Sequence, residues 1–151
     1  MKIFALDSAI WIPRPIDEVF AFFADAHNLG AITPPWMHFR TVTPGPIVMA
    51  VGTRFEHRLR VKGIPIRWES EITVWDPPRR FVDEQRRGPY RRWVHEHRFA
   101  AHDGGTDVAD HVDYVVPGGT IVNGLIVAPD LRKVFEYRRQ TLLARFPRPQ
   151  I

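Results

Sequence analysis

The chain has 151 residues, 44% of them apolar and 25% charged, a balance that belongs to a globular protein rather than a disordered, fibrous or membrane-embedded one. One domain spanning 1–151 is expected at this length, with about 70% of the unfolded chain's surface buried on folding, so that no disulfide or structural metal is needed. The complete lack of cysteine excludes thiol nucleophiles, zinc ribbons, iron–sulfur ligation and disulfide scaffolds, and 21 Lys and Arg against 17 Asp and Glu leave a modest net charge of +4.

Residues 3–12 place Phe4, Leu6, Ile10 and Ile12 on one parity, the period of a strand. Pro13 and Pro15 stop it. Pro15 suits the first turn of a helix, and Asp17 and Glu18 suit the positive end of its dipole. Ile16, Val19, Phe20 and Phe23 then build one apolar face. Asp25 is a cap for a second short helix carrying Ala26, Leu29 and Ile32, which Pro34-Pro35 ends.

From 38 to 117 the period is two. Strands are expected at 38–43, 52–62, 65–76, 79–87, 92–102 and 106–116, separated by Gly63, Pro77-Pro78, Gly88-Pro89 and Asp103-Gly104-Gly105. Breaks this short join antiparallel neighbours. After Pro117-Gly118-Gly119 a helical period returns, with Leu131, Val134, Phe135 and Leu142 on one face and Pro129 near the start or at a break. This order defines an α+β fold. A seven-stranded antiparallel sheet must twist and coil, and it can wrap around the long C-terminal helix with the two short helices following strand one.

The segments Ile12-Pro13-Arg14-Pro15-Ile16-Asp17-Glu18-Val19-Phe20, Asp25-Ala26-His27-Asn28-Leu29, Phe81-Val82-Asp83-Glu84-Gln85, Gly88-Pro89-Tyr90, Trp93-Val94-His95-Glu96-His97-Arg98-Phe99 and Phe135-Glu136-Tyr137-Arg138 resemble the START-like, or SRPBCC, superfamily. Its helix-grip fold is also that of the Bet v 1-like proteins. The resemblance covers nearly the whole chain. It points in particular to the ligand-binding subgroup that also occurs fused to sugar-nucleotide epimerase-like proteins, among relatives that include lipid and hormone carriers and polyketide cyclases. It implies the fold and names no substrate.

Strand parity gives the face that meets the core. Phe55, Leu59 and Val61 bring His57 inward; Ile66, Trp68, Ile72 and Val74 bring Ser70. Phe81 brings Asp83 and Gln85, Trp93 and Phe99 bring His95 and His97, and Val108, Val112 and Tyr114 bring Asp110. Burying so many polar groups costs several kcal/mol each unless they are hydrogen-bonded or wet, so a network or a cavity is expected. Three readings compete for the cluster. It is a structural network that also engages the Tyr114 hydroxyl. Alternatively, it is the polar end of a pocket walled by Phe20, Phe23, Trp36, Phe55, Trp68, Trp93 and Phe135. The third is catalysis or metal binding, with His95 or His97 as a base and Asp83 or Asp110 as its partner, or with His57, His95, His97 and Asp83 as ligands.

The pocket reading is preferred, with a small, largely hydrophobic molecule as partner and no metal or other cofactor. A cofactor-free cyclase, dehydratase or isomerase using the same residues is the alternative. Two His at i and i+2 are what any strand provides, and Ser8 and Ser70 lie in no nucleophile elbow. The Arg86-Arg87 and Arg91-Arg92 pairs read as a solvated face, not a nucleic-acid site, because no stacking module accompanies them. A protein-interaction role would need an exposed apolar patch, which the sequence does not display. No apolar run is long enough to span a bilayer, and Met1–Asp7 meets a carboxylate too early for a secretory signal, so a cytoplasmic location is expected. The oligomeric state is not written in these residues.

Overall fold

The computed structural model describes residues 1–149. Strand β1 (Phe4–Ile12) is followed by helix α1 (Ile16–Phe23) and two 3₁₀ segments, Ala26–Ile32 and Pro35–Met37. Six further strands follow: β2 (Arg40–Thr41), β3 (Arg54–Val61), β4 (Ile64–Asp76), β5 (Arg80–Arg87), β6 (Arg92–His102) and β7 (Gly105–Val115). They form one antiparallel sheet in the order β1-β7-β6-β5-β4-β3-β2. The expected helix-grip architecture is therefore present. Among the described residues no helix is long and apolar enough to cross a membrane.

The first helix buries Val19, Phe20, Phe22 and Phe23, and Asp25 caps the segment after it by accepting the His27 amide at 2.9 Å. That segment is 3₁₀ rather than α. The strand expected at 38–43 shrinks to two paired residues, because Pro44 and Pro46 close behind have no N–H to give to a ladder.

The C-terminal helix begins at α2 (Gly119–Val122), passes through a π turn (Asn123–Val127) and continues as α3 (Ala128–Arg145). Pro129 is thus inside a continuous helix. It lacks the N–H that would bond to Leu125, and the wider turn immediately before it takes up that missing bond.

Parity holds along β3, β6 and β7 but not along β4. Register with β5 shifts between Ile72 and Val74, so Thr73 is an extra residue. Past this bulge Trp75, not Val74 as expected, turns to the core, where its ring lies 5.4 Å from Phe20 and 5.5 Å from Phe81.

Buried apolar residues divide into two clusters. One, around α1, joins Ile12, Val19, Phe20, Ile72, Phe99 and Val108; the other joins Trp93, Val112, Tyr114, Leu131 and Phe135 under the C-terminal helix. Each fully buried side chain of this kind contributes about 1.5–3 kcal/mol. On β6 and β7, His95, His97 and Asp110 lie between the two clusters in sequence and face inward with them. A polar layer therefore lies between the two clusters.

Candidate functional site: a cavity ending in a buried polar cluster

Between the sheet and α3 lies a cavity of about 180 Å³. Its wall is mostly apolar, with Phe23, Phe55, Leu59, Trp68, Trp93, Leu131 and Phe135, and its polar lining comprises His57, Asp83, His95, His97 and Arg138 together with Asp25, Thr33, Ser70 and Asp130. Alternation puts the histidines there: β6 reads Trp93-Val94-His95-Glu96-His97-Arg98-Phe99, and every second residue is buried.

Asp83 pairs across the sheet with His95, and His97 with Phe81 on one side and Asp110 on the other. His97 Nε2 meets Asp83 Oδ2 at 2.6 Å, and His95 Nε2 meets Asp110 Oδ1 at 2.8 Å. Arg138 donates through Nη2 to the same Asp110 oxygen at 3.3 Å. His97 Nδ1 is 3.4 Å from that oxygen but lacks the angle for a hydrogen bond. The rings of Phe81, His97 and His95 form a stack with centroid separations of 4.1 and 3.7 Å.

The charges follow from these neighbours. Burial works against ionising Asp110, yet the Arg138 charge and the His95 and His97 imidazoles hold its carboxyl well below the usual range. Burial opposes Asp83 in the same way and is outweighed by the hydrogen bond and charge of His97, so it too is lowered. His97 is raised, because the Asp110 and Asp83 carboxylates overcome its burial. His95 is lowered by burial and by the neighbouring His97 charge. These directions favour a balanced cluster, with the Asp83 and Asp110 carboxylates set against protonated His97 and Arg138 and with His95 the neutral imidazole.

Buried nitrogens remain without partners. His57 Nε2 and Arg138 Nε belong to residues of the cavity wall and bond to nothing among the described residues. Leaving such a group unpaired costs about 1–3 kcal/mol, which a cavity ligand would recover only by moving these side chains enough to reach the buried nitrogens.

Of the residues singled out in the sequence, His57, Trp68, Asp83, Trp93, His95, His97 and Phe135 meet at this wall. Five take other positions. Asp110 sits behind the imidazoles and not on the wall. Gln85 grips the backbone of Tyr90, donating to its carbonyl at 2.7 Å and accepting its amide at 3.1 Å, and so shapes the β5–β6 turn. Tyr114 donates to Asn123 Oδ1 at 2.9 Å and ties β7 to the π turn. Trp36 is 53% exposed and packs on Tyr137, outside the cavity, while its neighbour Met37 lines it. Phe20 belongs to the α1 core and not to the pocket wall.

Arg138 is the member of the cluster that the sequence reading missed. Its signal was present: Leu131, Val134, Phe135 and Leu142 define a helix face on which position 138 also falls. A charge on an apolar stripe is an invitation to look for a buried carboxylate. Tyr90, held on the wall by Gln85, was also missed.

Asp83, His95 and His97 each offer one ligand atom, all within 4.8 Å of one another, a grouping that could hold a divalent ion. The Arg138 guanidinium in the same cluster and the existing Asp83–His97 bond both work against a cation there.

Burial pushes His57 down to about 4 from an ordinary 6.5, against a weaker upward pull from Asp83. Unfolded chains therefore take up a proton at His57 as pH falls through 6.5, and folded chains do not. Stability is full above that pH and is lost towards pH 4, by about 3 kcal/mol for this residue. In urea melts, His57→Phe is expected to narrow the stability lost between these pH values by about that amount. A variant with the wild-type pH profile would reject the assignment.

The cavity, its polar end and the curved sheet define a helix-grip protein. The chain belongs to the family described as "Polyketide cyclase / dehydrase and lipid transport", which matches residues 12–146. Solved structures share the fold at low identity. The aromatase/cyclase of Streptomyces sp. R1128 is 18% identical with a TM-score of 0.66, covering 95% of this chain and 93% of that one. A Chromobacterium violaceum protein is 12% identical with a TM-score of 0.76, covering 97% and 98%. The nucleoside-diphosphate sugar epimerase of Corynebacterium glutamicum is 22% identical with a TM-score of 0.68, covering 92% of this chain but 28% of the epimerase. No curated protein matches the chain.

Proposed function

We propose that this chain is a single-domain binding module for a small, largely hydrophobic molecule of one or two rings carrying an oxygen function at one end. The observation that carries the reading is a largely apolar cavity lined by a buried polar cluster in which His57 Nε2 and Arg138 Nε have no partner. At about 180 Å³ it is slightly larger than a cavity of roughly 150 Å³ that takes up benzene, which favours single- and two-ring compounds over sterol-sized ones. Such a ligand buries its rings against Trp68, Trp93 and Phe135 and sets its oxygen among Asp83, His57 and Arg138. A cytoplasmic location belongs to the same reading, since a chain without cysteine gains nothing from an oxidising compartment.

Native mass spectrometry of the purified chain, followed by calorimetric titration with 2-naphthol and 2-naphthoate, tests it. A co-purifying organic adduct or micromolar binding supports the module. No adduct and no binding below millimolar would leave the cluster as a structural network, and a metal adduct would move Asp83, His95 and His97 to the role of ligands.

The Asp83–His97 pair favours a second reading, proton-transfer catalysis on an enolisable compound, with His97 exchanging the proton and Asp83 orienting it. It requires turnover with a bell-shaped pH profile. A bound compound recovered unaltered after long incubation would remove it.

A further inference from the structure

Antiparallel order brings one set of chain turns to one end of the sheet. The β3–β4 turn follows the Val61–Ile64 pair, β7 leaves the sheet beside Arg92, and β1 enters beside Tyr114. The β5–β6 turn and the start of the C-terminal helix therefore share this end with residues 1–3. Lys62 reaches Asp130 at 3.8 Å, which sets the β3–β4 turn against the helix one turn beyond Ile126.

This end carries large aliphatic side chains with no packing partner. Leu125 is 77% exposed, Ile121 74% and Ile64 63%, with Ile126 and Ile3 also exposed. Ile121 and Leu125 stand one helical turn apart. They are not a frayed end, because Asn123 between them is buried and bonded to Tyr114. Around the patch lie Lys2, Arg60, Arg87, Arg91 and Arg92, and among the described residues none of these five pairs with a carboxylate. The opposite end of the sheet carries Asp76 and Asp103 at its turns. That end also exposes Val48 and Val51, but there Asp76 pairs with Arg79 and Glu18 with Arg14.

We propose that this end is a docking surface for an anionic lipid bilayer, with Ile121 and Leu125 entering the interface and the surrounding cations meeting the headgroups. Exposed aliphatics ringed by unpaired cations are the two components of interfacial membrane binding. A nucleic-acid partner would instead call for exposed aromatics on which bases stack. The surface goes beyond the binding module and does not depend on it, because docking is measured without any cavity ligand.

The test is co-sedimentation of the full chain with phosphatidylcholine vesicles, with and without phosphatidylglycerol. Binding is expected only to the anionic vesicles, and it weakens as salt rises. Ile121→Asp with Leu125→Asp should lower the partition about tenfold, and so should Arg91→Glu with Arg92→Glu. All four positions are exposed, so circular dichroism should show the wild-type fold in both variants. Failure to bind anionic vesicles overturns the proposal. So does binding indifferent to the Asp substitutions, which would be plain polybasic adsorption. A dimer that Leu125→Asp dissociates, with no vesicle binding, would overturn it in favour of a second copy as the occupant.

Discussion

Asp110→Ala is expected to cost about 3–5 kcal/mol of stability and to lower the melting temperature by roughly 10 °C or more. Asp110 Oδ1 holds His95 at 2.8 Å and Arg138 at 3.3 Å, with His97 at 3.4 Å. Arg138 has no other carboxylate among the described residues, and its side chain is 8% exposed. Removing the acceptor therefore leaves Asp83 alone against the Arg138 and His97 charges, an excess of positive charge inside the protein, which is the expensive way to break a buried pair. Removing both partners is different. Asp110→Ala combined with Arg138→Met is expected to recover most of the loss, since apolar groups of similar volume can replace a buried ion pair at little cost. A thermodynamic cycle over the two positions should show a coupling energy of similar size. If Asp110→Ala alone cost under about 1 kcal/mol, the network would be hydrated and not buried, and the charge balance drawn above would fail.

The fold was legible because its signals are periodic. Alternation along β3, β6 and β7 put His57, His95, His97 and Asp110 on the inner face, and turn residues put the strand ends within two residues of their places. Where the reading broke, a local event cancelled the period. Thr73 gives no sign in its residue type that it is extra, and the bulge there exchanged Val74 for Trp75 in the core. The site was only half legible for another reason. Parity tells which face a side chain shares but not how deep it sits. Gln85 and Asp83 share a face, yet one closes a turn and the other ends the cavity. Asp110 lies on the same face as His95 and is screened from the cavity by the imidazoles it supports. The exposed tip at Ile121 and Leu125 was invisible because a helix start with isolated aliphatics reads as ordinary core until their partners fail to appear.

Asp83→Ala is expected to weaken 2-naphthol binding about 10- to 100-fold while changing 2-methoxynaphthalene binding by less than about threefold. Asp83 spends Oδ2 on His97 and is the one partly exposed carboxylate of the cluster, so its other oxygen can accept a hydroxyl from the cavity. A charged acceptor in so apolar a pocket makes the stronger kind of hydrogen bond, about 1.5–3 kcal/mol, and that sets the range. The methyl ether has the same rings and no proton to donate, so it reports apolar packing alone. Comparing the two ligands on the wild-type chain gives the same information without any substitution, which guards against a variant that loses its fold. Equal affinity for phenol and ether in the wild type, or equal loss of both in Asp83→Ala, would mean that the ligand's oxygen does not reach Asp83. The polar end would then serve the fold, and the cavity would recognise its ligand by shape.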